Sequence, residues 1–122
     1  MQVIEDEPSL QRYLQGLPFA TRDYPLVMTK FLSDATECDF DGVAKTGIVL
    51  LSALSEHVES GGVHSGDSSL MLPAQGVSAR IQKTIQETSS KIVHALDIHG
   101  PFNIQYLIFW DDIYVIECNV RA

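Results

Sequence analysis

The chain has no apolar run approaching the roughly 18 residues that would let a helix cross a membrane, and its first ten residues, MQVIEDEPSL, are acidic where a secretory signal would be basic. Cysteine is scarce. Cys38 and Cys118 are the only two, with no CxxC or other metal-ligand spacing. This excludes a disulfide framework or a zinc site and fits reduced packing residues of an intracellular protein. Positive charge is also scarce: 8 Lys and Arg stand against 16 Asp and Glu, a net charge of −8. That argues against a nucleic-acid surface, which needs basic patches, but not against phosphate ligands held through a divalent cation. Neither GxxxxGK[ST] nor GxGxxG occurs, so the two common phosphate-loop fingerprints are missing. There is no internal repeat and no low-complexity linker. What remains is one domain's worth of chain, 122 residues that are 45% hydrophobic.

Periodicity organises it. In EPSLQRYLQGL (residues 7–17), Asp6 can cap a helix, Pro8 suits its first turn, and Leu10, Tyr13, Leu14 and Leu17 recur at helical spacing. Residues 26–32, LVMTKFL, read as a strand. Residues 39–45 and 47–56 read as a hairpin around Lys45-Thr46-Gly47. Residues 57–76, with Gly, Ser and Pro and no period, read as a long loop. Ser78 can cap a second helix with Ile81, Ile85, Ile92 and Ala95 on one face, stopped by Gly100-Pro101. Residues 102–109 and 113–120 read as a final hairpin around Trp110-Asp111-Asp112. The class is α+β with antiparallel hairpins.

Three stretches carry chemistry. With a three-residue loop at 110–112, Phe109 would face Ile113, Leu107 would face Val115 and Gln105 would face Glu117. Gln105, Glu117, Asn119 and Arg121 would then form a polar row on an otherwise apolar hairpin. Its oxygens suit a hard cation such as Mg²⁺, and its guanidinium suits phosphate. A solvated sheet face would give the same alternation, though usually with Lys, Thr or Ser mixed in. In SEHVESGGVHSGDS (55–68), Gly61, Gly62 and Gly66 allow close backbone approach to a ligand, and His64 and Ser65 offer donors; a surface loop is the plainer reading. In TKFLSDATECDFD (29–41), Glu37, Asp39 and Asp41 alternate, as on a solvated edge strand or as acceptors for ribose hydroxyls.

Together, TKFL, SEHVESGGVHSGDS with the following LPAQ, and GPFNIQYLI with YVIECNVRA resemble the large subunit of carbamoyl phosphate synthetases over Val3 to Ala122. The closer likeness is to the second, carbamate-phosphorylating ATP-grasp half, in its eukaryotic wording. The resemblance implies an ATP-grasp fold, of which residues 1–122 would be the central part, truncated at both ends. It implies an ATP-dependent ligase using ATP with Mg²⁺ or Mn²⁺, and K⁺ as a further ion, to turn carbamate into carbamoyl phosphate for pyrimidine or arginine/urea synthesis. Partners would be the rest of the synthetase chain and a glutamine amidotransferase subunit or domain, with no nucleic acid and no membrane, in the cytoplasm or the mitochondrion. By position, Lys30 and Leu32 would lie by the adenine, Lys30 through its backbone since some relatives have His there. Glu37 would accept the ribose hydroxyls. Gly62, Val63, His64 and Ser65 would cover the nucleotide and phosphates. Gln105, Glu117 and Asn119 would hold the divalent metals. Arg121, with Asn119, would act in catalysis beside the transferred phosphoryl. The family's glycine-rich loop has no counterpart here, so the isolated residues are expected to be inactive. Another ATP-grasp carboxylase and a truncated paralogue that only binds nucleotide or a partner are the alternatives. The EHVE and GVHSGD wording favours the synthetase over the carboxylase.

Overall fold

A computed structural model of the chain describes residues 2–17, 25–59 and 68–121. Its elements are α1 (Glu7–Gly16), β1 (Thr36–Lys45), β2 (Ile48–His57), β3 (Leu70–Met71), α2 (Ala79–Ala95), β4 (Gly100–Phe109) and β5 (Asp112–Val120). Residues 1–31 and 32–122 form separate compact units.

In the first unit, α1 forms as its sequence dictates. The Asp6 carboxylate accepts the Ser9 backbone N–H at 2.7 Å, satisfying one of the orphan donors of the first turn. Leu10 and Tyr13 are half-buried, and no residue of α1 is fully buried. The strand expected at 26–32 is absent: these residues have no ladder partner, and 25–31 are exposed. Their β-forming side chains lack the pairing that alone makes an extended segment a strand.

In the second unit, the strands form one antiparallel sheet in the order β3-β2-β1-β4-β5. The first hairpin turns on two residues, Thr46 (φ 51°) and Gly47 (φ 70°), with Lys45 paired to Ile48. The two-residue β3, pairing Glu56 with Met71 and His57 with Leu70, lies inside the stretch expected to be loop throughout. Too short and irregular to show alternation, it had no period to find.

One face of the sheet is apolar. Cys38, Phe40 and Ala44 of β1 and Phe102, Ile104, Tyr106 and Ile108 of β4 are buried with Ile81, Ile85 and Val93 of α2. Gly42 leaves room there for Phe102, whose ring lies 2.6 Å from where a Cβ would stand. Ser78 caps α2, accepting the Ile81 N–H at 3.4 Å. The buried stripe of α2 is Ile81, Ile85, Ser89 and Val93, whereas Ile92 is half-buried and Ala95 exposed. Ser89 is inside because its hydroxyl and that of Tyr106 satisfy each other at 2.7 Å. The helix ends before Gly100-Pro101. Leu96 bonds back to Ile92, Asp97 takes φ 47°, and the Ile98 N–H returns to the Val93 carbonyl at 3.1 Å, closing the last turn.

Candidate functional site

The other face of the same sheet is polar, and strand register builds it. Asp39 of β1 stands opposite Ser55 of β2 and Gln105 of β4, and Gln105 stands opposite Glu117 of β5. The next row on this face runs Ala53, Asp41, Asn103, Asn119. β1 is central, so the edge reading of Glu37, Asp39 and Asp41 is wrong: Asp39 is only 6% exposed and Glu37 is half-buried, while Asp41 remains exposed.

The last hairpin reaches this arrangement by an unexpected route. Its turn has two residues, Trp110 (φ 57°) and Asp111, so Phe109 pairs with Asp112 and Leu107 with Tyr114, not with Ile113 and Val115. Continued straight, that register would place Ile116 opposite Gln105 and turn Glu117 toward the core. A bulge between Gln105 and Tyr106 absorbs one residue of β5. It returns Glu117 to the polar face opposite Gln105, the re-aiming that bulges provide.

Two kinds of polar group share the face. The first is closed. Asp39 Oδ2 and His57 Nε2 are 2.8 Å apart, and His57 Nδ1 is 2.9 Å from Ser68 Oγ. Asn103 Nδ2 donates to Asp39 Oδ1 at 3.1 Å and to Asp41 Oδ1 at 3.0 Å. Asp39 thus has both oxygens engaged. The second kind is open. Gln105 is buried, Asn119 half-buried and Glu117 exposed. Asn119 Nδ2 donates to Glu117 Oε1 at 2.7 Å. Arg121 follows β5, its backbone N–H held by the Pro101 carbonyl at 2.9 Å. It lines a cavity of about 380 Å³ with Asp41, Val43, Leu51 and Phe102.

Register puts Gln105, Glu117 and Asn119 on one face, and Arg121 follows them just past the end of β5. Glu37 lies on the same face of β1, half-buried, opposite Leu107. Leu32 is half-buried at the start of the second unit. Lys30 belongs to the first unit, where it is exposed and lines a cavity of about 600 Å³ with Val3, Ile4, Leu10, Tyr13 and Met28. Gly62, Val63, His64 and Ser65 lie outside the described residues. Sequence reasoning missed Asn103. The signal was available: it sits two residues before Gln105 and therefore on the same face.

The donor set suits a hard divalent cation: Gln105 and Asn119 amide oxygens and the Glu117 carboxylate, with ligand phosphates able to complete it. Among the described residues, no three His, Cys, Asp or Glu side chains converge on a metal position. Cys38 takes no part. Burial, and then the charges of Glu56, Asp39 and Glu37, push its thiol up to about 12, which leaves it a packing residue.

An antiparallel sheet with a helix on one face and a row of polar side chains on the other is part of an ATP-grasp architecture. The chain belongs to the family described as carbamoyl-phosphate synthase L chain, ATP binding domain, whose model matches residues 9–122. All of the chain aligns with carbamoyl-phosphate synthase (ammonia), mitochondrial, of Rattus norvegicus at 43% identity, covering 8% of that protein. It is 43% identical to multifunctional protein pyrABCN of Emericella nidulans over 5% of its length. It is 45% identical to multifunctional protein pyr-3 of Neurospora crassa over 7%. The chain thus spans less than a tenth of the length of each of these relatives. No helix among the described residues is long and apolar enough to cross a membrane.

Proposed function

We propose that residues 1–122 act as the central part of one ATP-grasp domain in a carbamoyl phosphate synthetase that phosphorylates carbamate with ATP. The observation that carries the reading is the register pairing Gln105 with Glu117 and placing Asn119 on the same face. The family match over residues 9–122 supports it. Gln105, Glu117 and Asn119 hold Mg²⁺ or Mn²⁺, which when bound neutralises ATP phosphate charge. Arg121 binds the phosphoryl group being transferred, with Asn119 beside it. Glu37 holds the ribose, and Lys30 and Leu32 flank the adenine. The segment carrying Gly62, Val63, His64 and Ser65 meets the phosphates. Phosphoryl transfer asks mainly for positioning and charge neutralisation, which suits such a set. K⁺ is a further ion of the site.

The rest of the synthetase chain and a glutamine amidotransferase subunit or domain are the partners, and the product feeds pyrimidine or arginine/urea synthesis. The protein works inside the cell, in the cytoplasm or the mitochondrion. The test is the reverse reaction in the full-length chain, ATP formation from carbamoyl phosphate and ADP. It should depend on Mg²⁺ and be lost in Gln105→Ala. ATP binding without any ATP formation would replace this reading with a nucleotide-binding paralogue.

A further inference from the structure

Asn103 is 3% exposed, and its carbonyl Oδ1 is the one buried side-chain oxygen or nitrogen among the described residues with no hydrogen-bond partner. Such an orphan costs about 1–3 kcal/mol and calls for a physical reason. The sense of the amide is fixed. Nδ2 donates to two carboxylates, Asp39 and Asp41, and a carbonyl oxygen in that place would face two acceptors. The unpartnered end is therefore held as an acceptor.

Directly opposite, across the β4–β5 ladder, is Asn119, within the roughly 5 Å Cβ separation at which opposite side chains meet. Its Nδ2 now donates to Glu117 Oε1. That bond occupies one oxygen of the single carboxylate in the candidate cation row. A cation at Glu117 and at Asn119 Oδ1 competes with it, because the carboxylate oxygen is wanted by the ion and the displaced N–H needs a new acceptor.

We infer that Asn103 is a positioning residue for Asn119: its waiting Oδ1 takes over the Asn119 Nδ2 hydrogen bond when a cation engages Glu117. The exchange frees both Glu117 oxygens and leaves Asn119 Oδ1 directed away from Asn103, toward the ligand. Asp39 and Asp41 act through Asn103 by fixing which end of its amide is presented. This rests on the cation row proposed above and assigns to it a residue outside that row.

The test is Mn²⁺ titration of the full-length chain with a nonhydrolysable ATP analogue, followed by electron paramagnetic resonance of free Mn²⁺. Asn103→Leu keeps the volume and removes the acceptor. Asn103→Ser keeps a donor for Asp39 but withdraws the carbonyl, and decides the matter if the Leu variant does not fold. Each folded variant should bind Mn²⁺ about tenfold more weakly, the lower end of effects seen for groups that orient metal ligands. Glu117→Ala should weaken binding by itself, and adding Asn103→Ser to it should cause little further loss, since the exchange has no purpose without Glu117. Unchanged Mn²⁺ affinity in Asn103→Ser, or a full tenfold loss persisting in the Glu117→Ala background, overturns the inference. If Glu117→Ala itself leaves Mn²⁺ binding unchanged, the cation row is wrong, which separates that failure from this one.

Discussion

The two hairpins put polar side chains on the same face of the sheet and use them differently. In β1–β2 the groups are closed off: Asp39, His57 and Ser55 are all buried, and Asp39 has both carboxylate oxygens bonded, one by His57 and one by Asn103 of β4. In β4–β5 Asn103 and Gln105 are buried, but the acceptors of β5 stay accessible, with Glu117 exposed and its side chain bonded only to its neighbour Asn119 among the described residues. A buried carboxylate needs its donors to offset desolvation. An exposed one is solvated already and can exchange water for a ligand. Substitutions in the first hairpin should therefore act on stability, and those in the second on chemistry.

The largest expected effect tests the closed half. Asp39→Ala strands His57 and one donor arm of Asn103 in a buried setting. We expect a loss of about 3 kcal/mol, in the range for breaking a buried, charge-assisted pair, read by denaturant unfolding of the chain. A loss under about 1 kcal/mol would remove the distinction between the hairpins. Next is the open half. Glu117→Ala in the full-length enzyme should lower the rate of carbamoyl phosphate formation about 10²-fold or more, the scale of removing one preorganised electrostatic group. Its stability should stay within about 0.5 kcal/mol, as for exposed positions. Normal turnover with normal Mg²⁺ dependence would sink the assignment.

Much of this contrast was legible in the sequence, for identifiable reasons. The row Gln105, Glu117, Asn119 could be read because alternation survives a register error. A three-residue loop and a two-residue turn plus one bulge residue give the same pairing beyond the bulge, so Gln105 meets Glu117 either way. The pairs nearer the turn, Phe109 with Asp112 and Leu107 with Tyr114, were misread because nothing local marks Ile116 as the extra residue. The central place of β1 was hidden too. Acidic alternation looks like a solvated edge, and only the distant pairing with β4 makes β1 central and buries Asp39. Ser89 falls at i+4 from Ile85, but the partner that lets a hydroxyl sit in the core, Tyr106 of β4, is not legible from the helix alone.

Smaller effects sharpen the comparison from the apolar side. Tyr106→Phe deletes the hydroxyl that meets Ser89 at 2.7 Å and should cost about 1 kcal/mol. Tyr106 belongs to the same strand as Gln105 but points to the opposite face, so Mn²⁺–nucleotide affinity should not change. A weakened affinity would mean that the two faces are coupled through β4.

The turns offer the finest contrast, because each places a residue with a Cβ in the left-handed region. Thr46 does so at φ 51° and is exposed. Its β-branch makes that conformation costly, whereas Asn tolerates it and is favoured before Gly in two-residue turns. Thr46→Asn should therefore stabilise the chain by about 0.5 kcal/mol, a fraction of the left-handed penalty. Trp110 takes φ 57° in the second turn, but its ring also meets Phe109 edge-on with centroids 6.2 Å apart. That contact is worth about 0.5–1.5 kcal/mol, so Trp110→Asn gives up on packing what it gains on the backbone and should come out near zero. Urea midpoints of the two variants measure the difference directly. An equal gain in both would show that the Phe109 contact contributes nothing. A loss at Thr46→Asn would show that the first turn is held by something other than its backbone, such as the Gly47 N–H bond to the Ile98 carbonyl at 3.1 Å.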